Sequence, residues 1–109
     1  MIIELQIPVQ WDGLDTNGNP EQYSSSRVRQ DGSEISVVND TVTEQDGTFS
    51  GVLTVDADLQ EGIPSEFEWM VIDNEGTDGI WSDPVSYTYQ DAGASKPTIS
   101  GEITGTPKI

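Results

Sequence analysis

The stretch FEWMVIDNEGTDGIWSDPVSYTY, residues 67–89, carries the strongest structural pattern in the chain. Phe67, Trp69 and Val71 fall on one face of an alternating run, and Met70 and Ile72 fall on the other. A strand with apolar residues on both faces is expected to be central and covered on both sides, at least in part. NEGTDG (74–79) is made of turn formers. The chain resumes in IWSDPVSYTYQ (80–90), with Val85, Tyr87 and Tyr89 on one face. Such a unit has three conceivable uses: holding a metal with its acids, gripping a ligand with Trp81, or closing a sheet. Six core-facing apolar residues on two strands favour the last.

The same period of two runs through the rest of residues 1–90. Ile3, Leu5, Ile7, Val9 and Trp11 share one face of the first segment. Pro8 has no N–H to give a ladder, so this strand is expected at an edge or bulged. DGLDTNGNPEQ (12–22) reads as a loop, and YSSSRVRQ (23–30) as a strand running into the two-residue hairpin signal Asp31-Gly32. SEISVV (33–38) follows, with a turn expected at Asn39-Asp40. TVTEQ (41–45) meets a second hairpin signal at Asp46-Gly47, and TFSGVLTVD (48–56) alternates Phe49, Gly51, Leu53 and Val55. Gly51 is expected to mark a bulge or a close approach. ADLQEGIPSE (57–66) is a loop. The expectation is an all-β chain: an antiparallel β-sandwich of about seven strands over residues 1–90, with no helical periodicity.

Composition bounds the function. The chain has 109 residues, enough for one modest core. It has no Cys and no His, which removes a disulfide framework, a thiolate zinc site, a thiol nucleophile and the commonest general base. The expectation is therefore no enzyme. Twenty acidic residues face four basic ones, net −16, and 15 of the acids lie between Arg29 and Lys96 without a single cation. Nucleic acid and anionic membrane are not expected as partners. There is no apolar run long enough to span a bilayer. MIIELQIPVQW has neither a basic leader nor an apolar signal core, so the chain is expected to be used without Sec export, unless it has been trimmed.

Residues 91–109, DAGASKPTISGEITGTPKI, differ from the body. Their two acids and two lysines cancel, so residues 1–90 hold the whole net charge. Ile99, Ile103 and Ile109 punctuate a Gly/Pro/Ser/Thr-rich run. This is expected to be an extended arm with a short strand at 98–103, docking on its own domain or on a neighbour.

The 67–89 unit, with WSDPVSYTY as its second half, resembles the last two strands of fibronectin type III and related immunoglobulin-like modules, and Leu59 and Gly62 resemble the turn before them. The resemblance covers about 35 residues. It implies an Ig-like sandwich. Phe67 stands at the tyrosine-corner position without a hydroxyl. Trp11 ends the first strand, whereas the family's early tryptophan sits on the second. Either the strand order is variant or the chain lacks a first strand.

Two sets of residues are candidates for contact with something else. If every connection alternates ends, loops 12–22, 39–40 and 57–66 share one end. They would gather Asp12, Asp15, Asn17, Asn19, Glu21, Asp40, Asp56, Asp58 and Glu61. Calcium takes six to eight oxygens from loops of this kind, so Asp12, Asp15, Asn17, Asn19, Asp56 and Asp58 form a candidate calcium set. DTNGNPEQYSSS fails as an EF-hand, with Pro20 for the glycine and Ser26 for the final Glu. Turn chemistry alone also explains these residues. The second set is for a protein partner: Trp81, the tryptophan expected to be exposed, with Ile99, Ile103 and Ile109 of the arm. Trp11 and Trp69 are expected in the core. The functional expectation is a non-catalytic structural protein of a multi-copy assembly. Within that class it fits a bacteriophage virion accessory protein, of the capsid decoration, cement or tail-surface kind. The alternative is an extracellular binding or spacer module for carbohydrate or protein, with calcium as a stabilising ion.

Overall fold

The computed structural model describes residues 1–12, 23–45, 48–73, 81–90 and 103–105. Nine strands and no helix occur among them: β1 (Ile2–Asp12), β2 (Tyr23–Gln30), β3 (Ser33–Ile35), β4 (Val37–Asp40), β5 (Thr43–Gln45), β6 (Thr48–Asp58), β7 (Pro64–Asp73), β8 (Val85–Thr88) and β9 (Ile103–Gly105). One sheet has the order β4-β6-β1-β9, with β5 also on β6; the other has the order β3-β2-β7-β8. Every pairing is antiparallel except β1 with β9.

The two sheets share one core. Leu5, Ile7, Val9 and Trp11 of β1 are buried, as the alternation requires, with Ile3 half-buried. Phe49, Leu53, Val55 and Ala57 come from β6, Val28 from β2, Phe67 and Trp69 from β7, and Tyr89 from the segment after β8. Trp11 and Phe49 are register partners, and their rings stack with centroids 5.2 Å apart. Each such side chain withdrawn from water contributes about 1.5–3 kcal/mol, so these residues dominate the energetics. Met70, on the opposite face of β7 from Phe67 and Trp69, is also buried, which matches the reading of β7 as a central, doubly covered strand.

The Asp31-Gly32 hairpin has the positive φ values of a type I′ turn, 50° and 85°. Asp31 Oδ1 accepts from Glu66 N–H at 2.9 Å, and Asp31 N–H donates to Glu66 O at 2.8 Å. Residues 46–47 lie outside the described residues, but Gln45↔Thr48 pair in register on either side of them.

Two expectations are corrected. The segment 33–38 is not one strand. It divides at Ser36, pairing with β2 before it and β6 after it, so the chain passes from one sheet to the other. Nor does the chain reverse at Asn39-Asp40. β4 and β5 both run antiparallel to β6 and so point the same way. The turn chemistry there is real but local: Asp40 Oδ1 accepts from Val42 N–H at 2.8 Å, an Asx turn. Thr41 then bridges to β6, its N–H donating to Val52 O at 3.1 Å and its Oγ1 accepting from Val52 N–H at 3.0 Å. At Gly51 the sequence left a bulge or a close approach open. The structure has the close approach, for the β1–β6 register is continuous from Ile2↔Asp58 to Asp12↔Thr48. That continuity also removes the bulge considered at Pro8.

Candidate functional site

The absence of a reversal at Asp40 decides where the acidic loops fall. With β3, β4 and β5 running in one direction, β6 returns to the end where β1 begins. Asp58 sits opposite Ile2 and Asp56 opposite Glu4, while Asp12 is at the far end of β1. At about 3.3 Å per residue, Asp12 is roughly 30 Å from Asp58 along the sheet. The grouping of Asp12 with Asp56 and Asp58 is therefore corrected: one ion cannot bind all three. Asp15, Asn17, Asn19 and Glu21 lie outside the described residues. Asp40 sits mid-sheet opposite Leu53. Asp56 and Asp58 are exposed, and Asp58 Oδ1 accepts from the Met1 ammonium at 2.7 Å. No three Asp, Glu, His or Cys groups converge at metal-ligand spacing among the described residues.

Trp81 belongs to a different construction. Ser82 holds it beside β7: Ser82 N–H donates to Trp69 O at 2.8 Å, and Trp69 N–H donates to Ser82 Oγ at 2.8 Å. This bidentate grip extends the β7–β8 pairing past Pro84, whose nitrogen carries no hydrogen. It leaves the Trp81 indole half-buried beside Arg27 and Arg29. The Arg29 guanidinium lies 4.4 Å from the ring centroid and that of Arg27 lies 5.9 Å away, both within cation–π range.

Both arginines are also neutralised. Arg29 Nε and Nη2 donate to the two oxygens of Glu68 at 2.8 Å each, between register partners of β2 and β7. Arg27 Nε and Nη2 donate to Glu34 at 2.9 and 2.7 Å. Fork-to-fork geometry makes these the stronger kind of ion pair. The Arg29 hydrogen bonds hold the Glu68 carboxyl below its ordinary range, and those of Arg27 do the same for Glu34. Arg29 is raised in turn, chiefly by its bond to Glu68. Burial pushes the Tyr87 phenol up, with a smaller contribution from Tyr89. So the two cations of residues 1–90 are consumed internally, and Trp81, which the sequence offered as an exposed contact, has one internal partner at close range. The signal in the sequence was the Arg-x-Arg spacing, which puts both cations on one face of β2.

Of the arm residues, Ile103 begins β9, which runs parallel to β1 with Val9↔Ile103, Gln10↔Thr104 and Trp11↔Gly105. Of the strand expected at 98–103, Ile103 lies in β9, and residues 98–102 lie outside the described residues. Ile99 and Ile109 lie outside the described residues. Beside β9, the Trp11 indole N–H is buried and has no hydrogen-bond partner among the described residues, whereas Trp69 Nε1 donates to Ser26 Oγ at 2.8 Å. A shallow groove of about 570 Å³ opens where the chain passes from β3 to β4 at Ser36, lined by Ser26, Arg27, Glu34, Ile35, Ser36 and Val37.

No protein-family model, curated protein or solved structure matches the chain.

Proposed function

We propose that this chain is a non-catalytic structural module of a multi-copy assembly, and within that class a virion accessory protein of the decoration, cement or tail-surface kind. The observation that carries the reading is β9. A neutral, isoleucine-dotted segment adds a strand to the edge of an acidic body whose two arginines are tied up internally. That division of labour suits a protein that attaches through an extended strand and turns a solvated, repulsive surface outward.

The strand neighbours support the finer fold reading as well. β1 with β6 and β2 with β7 are the long antiparallel pairs of facing sheets, with hairpin β2–β3 and pair β7–β8 completing the second. That is the arrangement expected of an immunoglobulin-like sandwich. On this reading β9 lies at the edge of β1 where the first strand of such a sandwich would pair, in the opposite direction.

The test is immunogold electron microscopy of particle preparations from the source culture, using antibody raised against the purified protein. Label at regular spacing on particles is the expected result. Label confined to cell surfaces or to the soluble fraction refutes the assembly reading and favours the extracellular binding module. A calcium-stabilised variant of that alternative requires a rise in Tm in millimolar calcium. Its ligands would have to come from one end of the sheet, either around Asp12 or around Asp56 and Asp58.

A further inference from the structure

The outer edge of β1 has a definite hydrogen-bonding phase. Val52 turns its N–H and C=O toward Thr41, away from β1. Pro8, its register partner, therefore faces its own backbone groups outward, and period two does the same for Gln10. β9 brackets Gln10, with Ile103 and Gly105 opposite its two neighbours. Pro8 offers no N–H below Gln10, which explains why the ladder starts at Val9. The result is a site for a short parallel strand, three residues long against eleven for β1–β6, in the pairing mode that is weaker per residue.

We infer that the outer edge of β1 at Val9–Trp11 is a strand-exchange site, and that its occupant besides the chain's own β9 is β9 of a second copy. Three observations point there. First, the tether is long. Gly62 N–H donates to Tyr89 O, so residue 89 lies at the Ile2 end of β1, about 23 Å from Val9 at 3.3 Å per residue. Residues 89–102, fully extended, reach roughly 46 Å. The spare reach matches the 20–24 Å of the molecule's two shorter dimensions, the distance to a copy lying alongside. Second, residues 91–109 carry no net charge, so the segment can approach another −16 body without the repulsion that separates the bodies. Third, the contact made in exchange is residue for residue the one already seen, which is what makes swapping inexpensive in free energy. The site is read from register and holds whether or not the chain belongs to a particle. Closure within one chain has an effective concentration of roughly millimolar order, so exchange rises as copies are concentrated or held side by side.

The chain has no cysteine, so introduced thiols are unique. Mass-tagged Gln10→Cys chain is mixed with untagged Thr104→Cys chain and oxidised. The expected mixed disulfide dimer increases about tenfold between ~0.1 and ~1 mM protein, and exceeds by about tenfold the yield of Gln10→Cys mixed with Ser50→Cys. A yield no greater than that control overturns the inference, whether or not the double variant Gln10→Cys/Thr104→Cys closes within one chain. Sedimentation of the unmodified chain supplies an independent reading. Its concentration-dependent dimer should disappear in Gly105→Pro, which removes the N–H opposite Trp11; equal dimer content in the two chains is equally fatal.

Discussion

Replacing Gly51 by alanine should destabilise the protein strongly, although the substitution is ordinarily favourable in a strand. Gly51 lies inside β6 with no positive φ to protect. On conformational grounds alone alanine there would stabilise by about 0.5–1 kcal/mol. The surroundings reverse the sign. An alanine Cβ would lie 2.6 Å from Val42 Cα, 2.7 Å from Thr41 O and 2.8 Å from Thr41 C, all backbone atoms. Carbon atoms rest near 3.5–4 Å, so the Thr41–Val42 segment must retreat by about 1 Å. That retreat breaks the Thr41 N–H bond to Val52 O and the Val52 N–H bond to Thr41 Oγ1. Two hydrogen bonds at about 1 kcal/mol each, plus overpacking strain of about 1–3 kcal/mol, give a loss of roughly 2–4 kcal/mol after the conformational gain is set against it. In a domain this size that lowers Tm by about 10–25 °C. Urea unfolding followed by tryptophan fluorescence measures it, with Thr41→Val as the control that replaces only the hydroxyl, by a methyl. A loss under about 0.5 kcal/mol, or a gain, would show that the Thr41–Val42 segment does not press on Gly51.

The two buried tryptophans should respond differently to loss of the indole N–H. Both Trp11→Phe and Trp69→Phe shed volume, but among the described residues only Trp69 has an indole hydrogen bond to give up, the one to Ser26 Oγ. Trp69→Phe is expected to cost about 1–2 kcal/mol more in urea unfolding; equal costs would refute the distinction. The Arg29–Glu68 pair should show itself in acid. Glu68 is held below its usual range and Arg29 above its own, so the pair's contribution is complete above the unfolded glutamate value, about pH 4.3, and is lost as pH falls through the lowered one. The stability gap between the unmodified chain and Glu68→Gln should be level from pH 7 to about 5 and narrow progressively as pH falls below about 4.3. A gap that stays constant as pH falls below about 4.3 would assign the loss to packing instead.

Core membership was legible at single-residue level. Leu5, Ile7, Val9, Trp11, Phe49, Leu53, Val55, Phe67 and Trp69 all face inward as alternation requires, because period two is a property of the strand itself. The Asp31-Gly32 hairpin was equally legible, since its two positive φ angles demand those residue types. The acidic end was not. Asn39-Asp40 has the chemistry of a turn, and it makes one, yet whether a turn reverses the chain depends on what pairs with the residues beyond it. Thr41, Val42 and Thr43 found β6 on the same side as before. That single outcome moved Asp56 and Asp58 to the opposite end from Asp12.

Trp81 shows the same boundary from another side. Its sequence neighbourhood, a Gly-rich loop before and Ser-Asp-Pro after, says only that it follows a turn. Arg29 is 52 positions away in the chain, and the two meet because β2 and β7 are neighbours and Ser82 grips Trp69.

The sequence by itself determined an all-β chain, which faces of its strands are apolar, and a neutral segment after an acidic body. Those follow from side-chain period, turn stereochemistry and charge, all local or additive. Only the tertiary structure decided strand direction beyond Asp40, the passage between sheets at Ser36, the arginine–tryptophan contact and the parallel seat of β9 on β1. Each of these is a choice of partner across long sequence separation, fixed by which backbone groups and side chains meet once the core has closed.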